Sequence, residues 1–210
     1  MNNKLLKTLS LLFALVMLLA AVGCDSGRTN TPDPTAQPET TQSAEVQPTE
    51  AQATDAPKDG DHMGKPFDDS FDMALVNGDK VYPIHTDAAP VIADLGDNYQ
   101  YSEAISCTRD GMEKTYEYDG LRIDTLPTDN GDIIGLFVIT GGSYKTPRGI
   151  GVGSTKDELF AAYGDYYYDD YYYVFTKSND PENITDMRLQ IVVENDVVVE
   201  INIYAPDYGN

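Results

Sequence analysis

One glycine-punctuated stretch, residues 146–165, constrains this 210-residue chain more than any other. Ser154 and Thr155 have side chains that can accept from the free amides of a helix start, and acidic residues follow three positions later in capping-box spacing. Gly164 stands where a helix ends in the left-handed conformation. The stretch therefore predicts a strand end, a capped helix and a glycine stop.

The same helix pattern occurs earlier, at residues 86–97, a shift of about 68 residues. With that shift, residues 103–109 align with residues 171–177, and residues 114–118 form an additional strand of the first copy. The sequence thus predicts an α+β fold of two tandem repeats, each a helix followed by antiparallel strands, with the helices packed on one sheet face. The alternative is that similar units recur by chance.

A hairpin is predicted before the first repeat, because Asn77 and Gly78 lie between two apolar runs. The predicted organisation places this hairpin and repeat one in residues 67–145 and repeat two in residues 146–210. Residues 1–66 are predicted to form two further segments, a signal and a tether.

The N-terminus has the pattern of a secretory signal over residues 1–23, with lysines first, then an apolar run and small residues. The apolar run is too short for a membrane span. The sequence Ala-Val-Gly-Cys ending at Cys24 resembles the lipobox of bacterial lipoproteins, in which the cysteine is acylated. Residues 24–66 are rich in Pro, Thr and Glu, which predicts a disordered tether. We therefore expect a lipid-anchored protein at the extracellular face of the cell membrane.

The chain carries 35 acidic and 14 basic residues, a formal net charge of −21. This acidity argues against nucleic acid as a partner. His85 is the only histidine of the predicted folded part, so a multi-histidine zinc site is excluded and a catalytic triad nearly so. No catalytic residue, metal site or cofactor is predicted, and the chain is expected not to be an enzyme. A weak calcium site in the acidic loops stays an alternative.

Cys107 has no intramolecular disulfide partner if Cys24 carries lipid. In the repeat alignment Cys107 takes the place of Phe175, which predicts a thiol that faces the core. The competing interpretation is a nucleophile paired with His85.

The residues 146–156, the Tyr163-Gly164 stop, Ser106-Cys107 and the closing strand together resemble a family of uncharacterised Gram-positive lipoproteins. Their repeat is similar to that of β-lactamase inhibitory proteins and of the small lipoprotein of the outer-membrane assembly machinery. The resemblance covers residues 71–204 and implies a protein-binding function, without contact residues that can be carried over.

Alternation along the closing strand predicts a working face. One side would carry Val197, Val199, Ile201 and Ile203, and the other, open side Val198, Glu200, Asn202 and Tyr204. With neighbouring strands, the partner-binding candidates are Tyr172, Arg188, Gln190, Glu200, Asn202 and Tyr204. The corresponding positions of repeat one include Arg122, Asp124, Ile134, Leu136 and Val138. This half is predicted to be either covered by the N-terminal hairpin or an exposed patch.

The resulting functional hypothesis is a non-enzymatic binding module, anchored by lipid, that engages an envelope protein or a cell-wall component through the open sheet face. Two alternatives remain. One is an inhibitor of an extracellular hydrolase, by analogy with the inhibitor repeats. The other is an envelope enzyme that uses carboxylates, the only plentiful catalytic groups in the chain.

Overall fold

The described residues form three short α-helices, one of four residues and two of eight, and two antiparallel sheets. The computed structural model describes residues 54–55 and 60–206, so the predicted signal, Cys24 and most of the predicted tether lie outside the described residues. In chain order the elements are β1 (Thr54–Asp55), a 3₁₀ turn (Gly60–His62), α1 (Asp69–Asp72), β2 (Ala74–Asn77), β3 (Lys80–Pro83), α2 (Ala88–Leu95), β4 (Gln100–Ile105), β5 (Met112–Tyr118), β6 (Leu121–Thr128), β7 (Gly131–Ile139), α3 (Lys156–Tyr163), β8 (Tyr167–Asp169), β9 (Tyr172–Phe175), β10 (Arg188–Glu194) and β11 (Val197–Tyr204).

The larger sheet has eight strands in the order β4-β5-β6-β7-β11-β10-β9-β8. It consists of two four-stranded meanders, each preceded by a helix, and they join where β7 pairs with β11. The smaller sheet has the order β1-β3-β2. The α+β class predicted from the sequence agrees with this architecture. Among the described residues no helix has the length and apolar character needed to cross a membrane.

The ends of the helices and the N-terminal hairpin follow the sequence signals. Thr155 caps α3 in a complete capping box with Glu158, and Gly164 ends the helix with φ of 72°. Asp87 caps α2 by accepting from the amide of Ala89. The predicted hairpin is β2–β3, with Gly78 in its turn.

The core lies between one face of the large sheet and a layer made of the helices and the β2–β3 hairpin. Phe137 and Phe175 of the sheet, Leu159 of α3 and Leu75 of β2 are all fully buried in one cluster. The opposite face of the large sheet does not pack against this layer, and we call it the open face. The hairpin is therefore part of the core layer, which excludes the alternative in which it covers the open half-face of repeat one.

Two β-bulges change which side chains reach the open face. The register shifts between Val192 and Val193, so that Val198 faces the core and is fully buried rather than open to solvent. A second shift between Asp124 and Thr125 turns Ile134 into the core. The predictions of Val198 and Ile134 as open-face residues are therefore wrong, because a strict period of two does not survive a bulge.

The environment of Cys107 also differs from the prediction. Cys107 is exposed, in the turn that follows edge strand β4, and the buried residue there is Ser106. The structure has a short edge strand, β8, that the repeat alignment did not include, so each meander has four strands and β5 is not additional. By sheet position, β4 corresponds to β8 and not to β9, which removes the basis for matching Cys107 with Phe175.

A fully buried guanidinium holds residues 62–72 against the rest of the domain. Arg148 donates from Nε and Nη2 to the two carboxylate oxygens of Asp72, at 2.7 and 2.6 Å. Its remaining donors reach backbone carbonyls 2.7 to 3.0 Å away, those of His62, Lys65, Pro66 and Ala162. The guanidinium also lies 4.7 Å from the ring centroid of Tyr163. We call this arrangement the Arg148 clamp.

The contacts of the Arg148 clamp show that the tether ends earlier in the chain than the predicted residue 66. Residues 60–66, assigned to the tether by composition, include three carbonyls bound by Arg148 and the amide of Gly64, which donates to Ala162. His62 stacks on Phe71 with ring centroids 3.7 Å apart. The described part of this segment is therefore attached to the folded domain.

Candidate functional site

The open face contains a groove of about 320 Å³ that crosses the middle of the sheet. Its lining comes from both meanders, and we call it the sheet groove. The lining residues are Arg122, Leu136, Val138, Tyr172, Gln190, Glu200, Asn202 and Tyr204. This volume lies at the lower end of the ~300–1,000 Å³ that small-molecule sites occupy.

Strand register explains why these side chains meet. Arg122 of β6 pairs with Val138 of β7, which pairs with Asn202 of β11, which pairs with Gln190 of β10. Directly paired residues have side chains on the same sheet face, so these four form one row across four strands. The positions before and after them in each strand face the core, as Ile201 and Ile203 do.

A second hollow of about 250 Å³ continues the groove toward the β4–β5 end of the open face. It shares Leu136 and Tyr204 with the sheet groove. Its other lining residues are Thr108, Glu113, Asp124, Thr125, Leu126, Gly135 and Ala205. Together the two hollows form one elongated depression.

The wall formed by the second meander is a hydrogen-bonded network. The amide of Asn202 donates to Glu200 at 2.9 Å, and Asn202 is only 7% exposed. The hydroxyls of Tyr171 and Tyr172 lie 2.8 Å apart. These contacts restrict the rotamers of the groove side chains before any ligand arrives.

The wall formed by the first meander is held by charge. The guanidinium of Arg122 lies 3.2 Å from the carboxylate of Asp124, and Thr115 donates to the same carboxylate at 2.9 Å. The Arg122 side chain is 44% exposed, so the energy of this ion pair is small. The main effect of the pair is that the carboxylate of Asp124 offsets the positive charge of Arg122, which lines the groove.

Tyr172 is expected to titrate abnormally. Its hydrogen bond to Tyr171, then burial and the charge of Glu200, raise the pKa of its phenol to about 12 from an unfolded value of 10.0. Because the folded pKa is the higher one, the associated stabilisation is fully present below pH 10 and is lost as the pH rises through about 12. In ¹³C-tyrosine NMR, Tyr171→Phe should move the Tyr172 transition to lower pH. A Tyr172 transition that Tyr171→Phe leaves unchanged would contradict the assignment of the cause.

Five of the six partner-binding candidates predicted from the sequence line the sheet groove. The sixth, Arg188, pairs with Tyr204 in the sheet and so shares the open face, but it lies outside the groove lining. Its Nη2 points to the carbonyl of Asn183, 3.5 Å away. Of the residues predicted from repeat one, Arg122, Leu136 and Val138 line the groove and Asp124 lines the second hollow.

Sequence reasoning missed most of the second hollow. Thr125 and Gly135 lie at the β6–β7 bulge, which interrupts the alternation used for the prediction. Leu126 follows the bulge, and its side chain is the one a Cβ added to Gly135 would strike, at 2.8 Å. The glycine inside an otherwise apolar strand was the available signal, because such a glycine often marks a bulge.

Comparison with known proteins finds no relative of this chain. A scan of protein-family models, a search of curated proteins and a search of solved structures give no match to this chain. The resemblance to lipoproteins with repeats like those of β-lactamase inhibitory proteins therefore stays a prediction, and the case for function depends on the groove itself.

Proposed function

We propose that this chain is a non-enzymatic, lipid-anchored binding module that engages an envelope protein or a cell-wall component through the sheet groove. The observation that carries the proposal is the convergence of side chains from both meanders on one groove of the open face. The opposite face is used for the core, so the sheet has one face for stability and one face for contact.

The composition of the groove supports binding. Tyrosine and arginine are enriched at the energetic centres of interfaces, and asparagine provides adaptable hydrogen bonds. Here two tyrosines, one arginine and two side-chain amides surround an apolar floor of Leu136 and Val138. The network around Asn202 fixes part of this surface in advance, which lowers the entropy lost on association.

The architecture also supports an origin by duplication. Each half consists of a helix followed by a four-stranded meander, and the meanders meet at β7 and β11, the last strand of each. We propose that the halves are tandem repeats. The groove would then be a product of the duplication, because it forms where the meanders meet.

The proposed location depends on Cys24 and on the segment after it. With Cys24 acylated, the chain between Cys24 and the Arg148 clamp would connect the membrane to the domain. The Cys24→Ser variant is expected to move from the membrane fraction to the medium, because the thiol that carries the lipid is absent. Fractionation followed by immunoblotting measures this. A Cys24→Ser protein that stays with membranes after signal cleavage would contradict the anchor.

A crosslinked pull-down from cell envelopes tests the proposed function. The wild-type chain is the bait, beside a Tyr172→Ala variant and a Tyr168→Ala control. Tyr168 is an equally large exposed tyrosine on the adjacent strand that does not line the groove. We expect Tyr172→Ala to lose the recovered partner and Tyr168→Ala to retain it. A partner recovered equally by all three baits would rule out the groove, and a hydrolase as partner would favour the inhibitor alternative.

A further inference from the structure

The position of the sheet groove restricts how a ligand can be held. The groove lies over β6, β7, β11, β10 and β9, and each of these strands pairs with a neighbour on both sides. Their backbone amides and carbonyls are therefore used within the sheet, and strand addition is not available to a ligand there. Recognition in the groove must come from side chains.

The available side chains suit a ligand with many neighbouring hydroxyl groups. Gln190 presents a carbonyl acceptor beside an amide donor, and the carboxylate oxygen of Glu200 that does not bind Asn202 is a further acceptor. A hydroxyl is both donor and acceptor, so adjacent hydroxyls match such planar groups two at a time. The bond from Asn202 to Glu200 fixes both groups at the centre of the groove.

The apolar part of the lining suits a ligand with C–H surfaces. Leu136 and Val138 form the floor, and Tyr172 and Tyr204 lie toward opposite ends. Their backbone positions are about 16 Å apart, taking ~4.8 Å between strands and ~3.3 Å per residue. A ligand that reaches both tyrosines must be elongated, and the second hollow extends the same path.

Charge selects against an acidic ligand. Arg122 is already paired with Asp124, Glu200 remains as an anion of the groove, and Glu113 lines the second hollow. The chain as a whole has a net charge of −21, which repels polyanions at long range. From hydroxyl-matching groups, aromatic ends and the lack of an unpaired cation in the lining, we infer that the sheet groove binds a neutral oligosaccharide. This inference rests on the proposed function of the groove and names its ligand class.

Titration of the ¹⁵N-labelled full chain with the β-1,4-linked tetramer of N-acetylglucosamine tests the inference. We expect saturable shifts of the side-chain amide signals of Asn202 and Gln190. Tyr172→Ala should raise the dissociation constant by about tenfold, whereas Tyr168→Ala, outside the groove, should leave it unchanged. Circular dichroism of both variants verifies that the fold is intact.

Two results separate the ligand class from the function. If an acetylated, amidated tetra-alanine peptide shifts the same signals and the tetrasaccharide does not, the ligand class is overturned and the groove still functions in binding. The ligand class is also overturned if the tetrasaccharide causes no saturable shift while the pull-down partner depends on Tyr172. If neither the tetrasaccharide nor the peptide causes saturable shifts and no pull-down partner depends on Tyr172, the proposed function is overturned as well.

Discussion

Replacing Arg148 with methionine is expected to lower the free energy of unfolding by about 3–5 kcal/mol. Asp72 and Arg148 both have fully buried side chains, so the variant leaves the Asp72 carboxylate buried without its partner. Four backbone carbonyls lose their donor at the same time. Since a domain of this size is stable by only about 5–15 kcal/mol, this is a large fraction of the total.

Chemical denaturation measures the effect of Arg148→Met, and Lys80→Met is the matched control. Lys80 also pairs with an aspartate, Asp94, but its side chain is 49% exposed. Breaking that exposed pair should cost less than about 1 kcal/mol. Equal unfolding midpoints for the two variants would show that the Arg148 clamp is not the attachment described here. Arg148→Lys should recover little, because an ammonium lacks the fork that spans both oxygens of Asp72.

Phe137→Ala is expected to destabilise the domain by a similar amount, about 3–5 kcal/mol. Phe137 is fully buried and pairs with Ile123 on one side and Ile203 on the other, at the junction of the meanders. Removing the ring leaves a cavity in the middle of the sheet that neighbouring strands, each held by two partners, cannot close.

The adjacent residue provides the control for Phe137→Ala. Val138 belongs to the same strand but faces the sheet groove and is only partly buried. Val138→Ala should therefore cost less than about 1.5 kcal/mol, well below the loss at Phe137. The two thermal transitions measure the difference. Comparable losses at both positions would mean that the open face is packed against something and is not a free surface.

Much of the local structure followed from the sequence. The capping box of Thr155 and Glu158 and the Asn77-Gly78 turn are signals carried by residues close in the chain. Alternation from Glu200 to Tyr204 also placed the groove side chains on the correct face, because no bulge interrupts that part of β11.

Other features depend on interactions that local patterns do not encode. Arg148 and Asp72 are 76 residues apart, and no spacing rule links them. The bulges next to Val192 and Asp124 shift the alternation of side chains by one residue. The sequence-based prediction therefore placed Val198 and Ile134 on the wrong face of the sheet. Strand β8 has three residues, too short to show a period, and its omission led to the wrong environment for Cys107.

The central claim is that the open face is the surface that contacts the partner. A photo-crosslinking amino acid at Gln190, inside the sheet groove, tests it directly in living cells, with the same amino acid at exposed Asp157 of α3 as the matched position on the other layer. Because a short-lived crosslinker captures only what lies next to it, the account predicts a discrete product from Gln190 and none from Asp157. A product from Asp157 with none from Gln190 would contradict it.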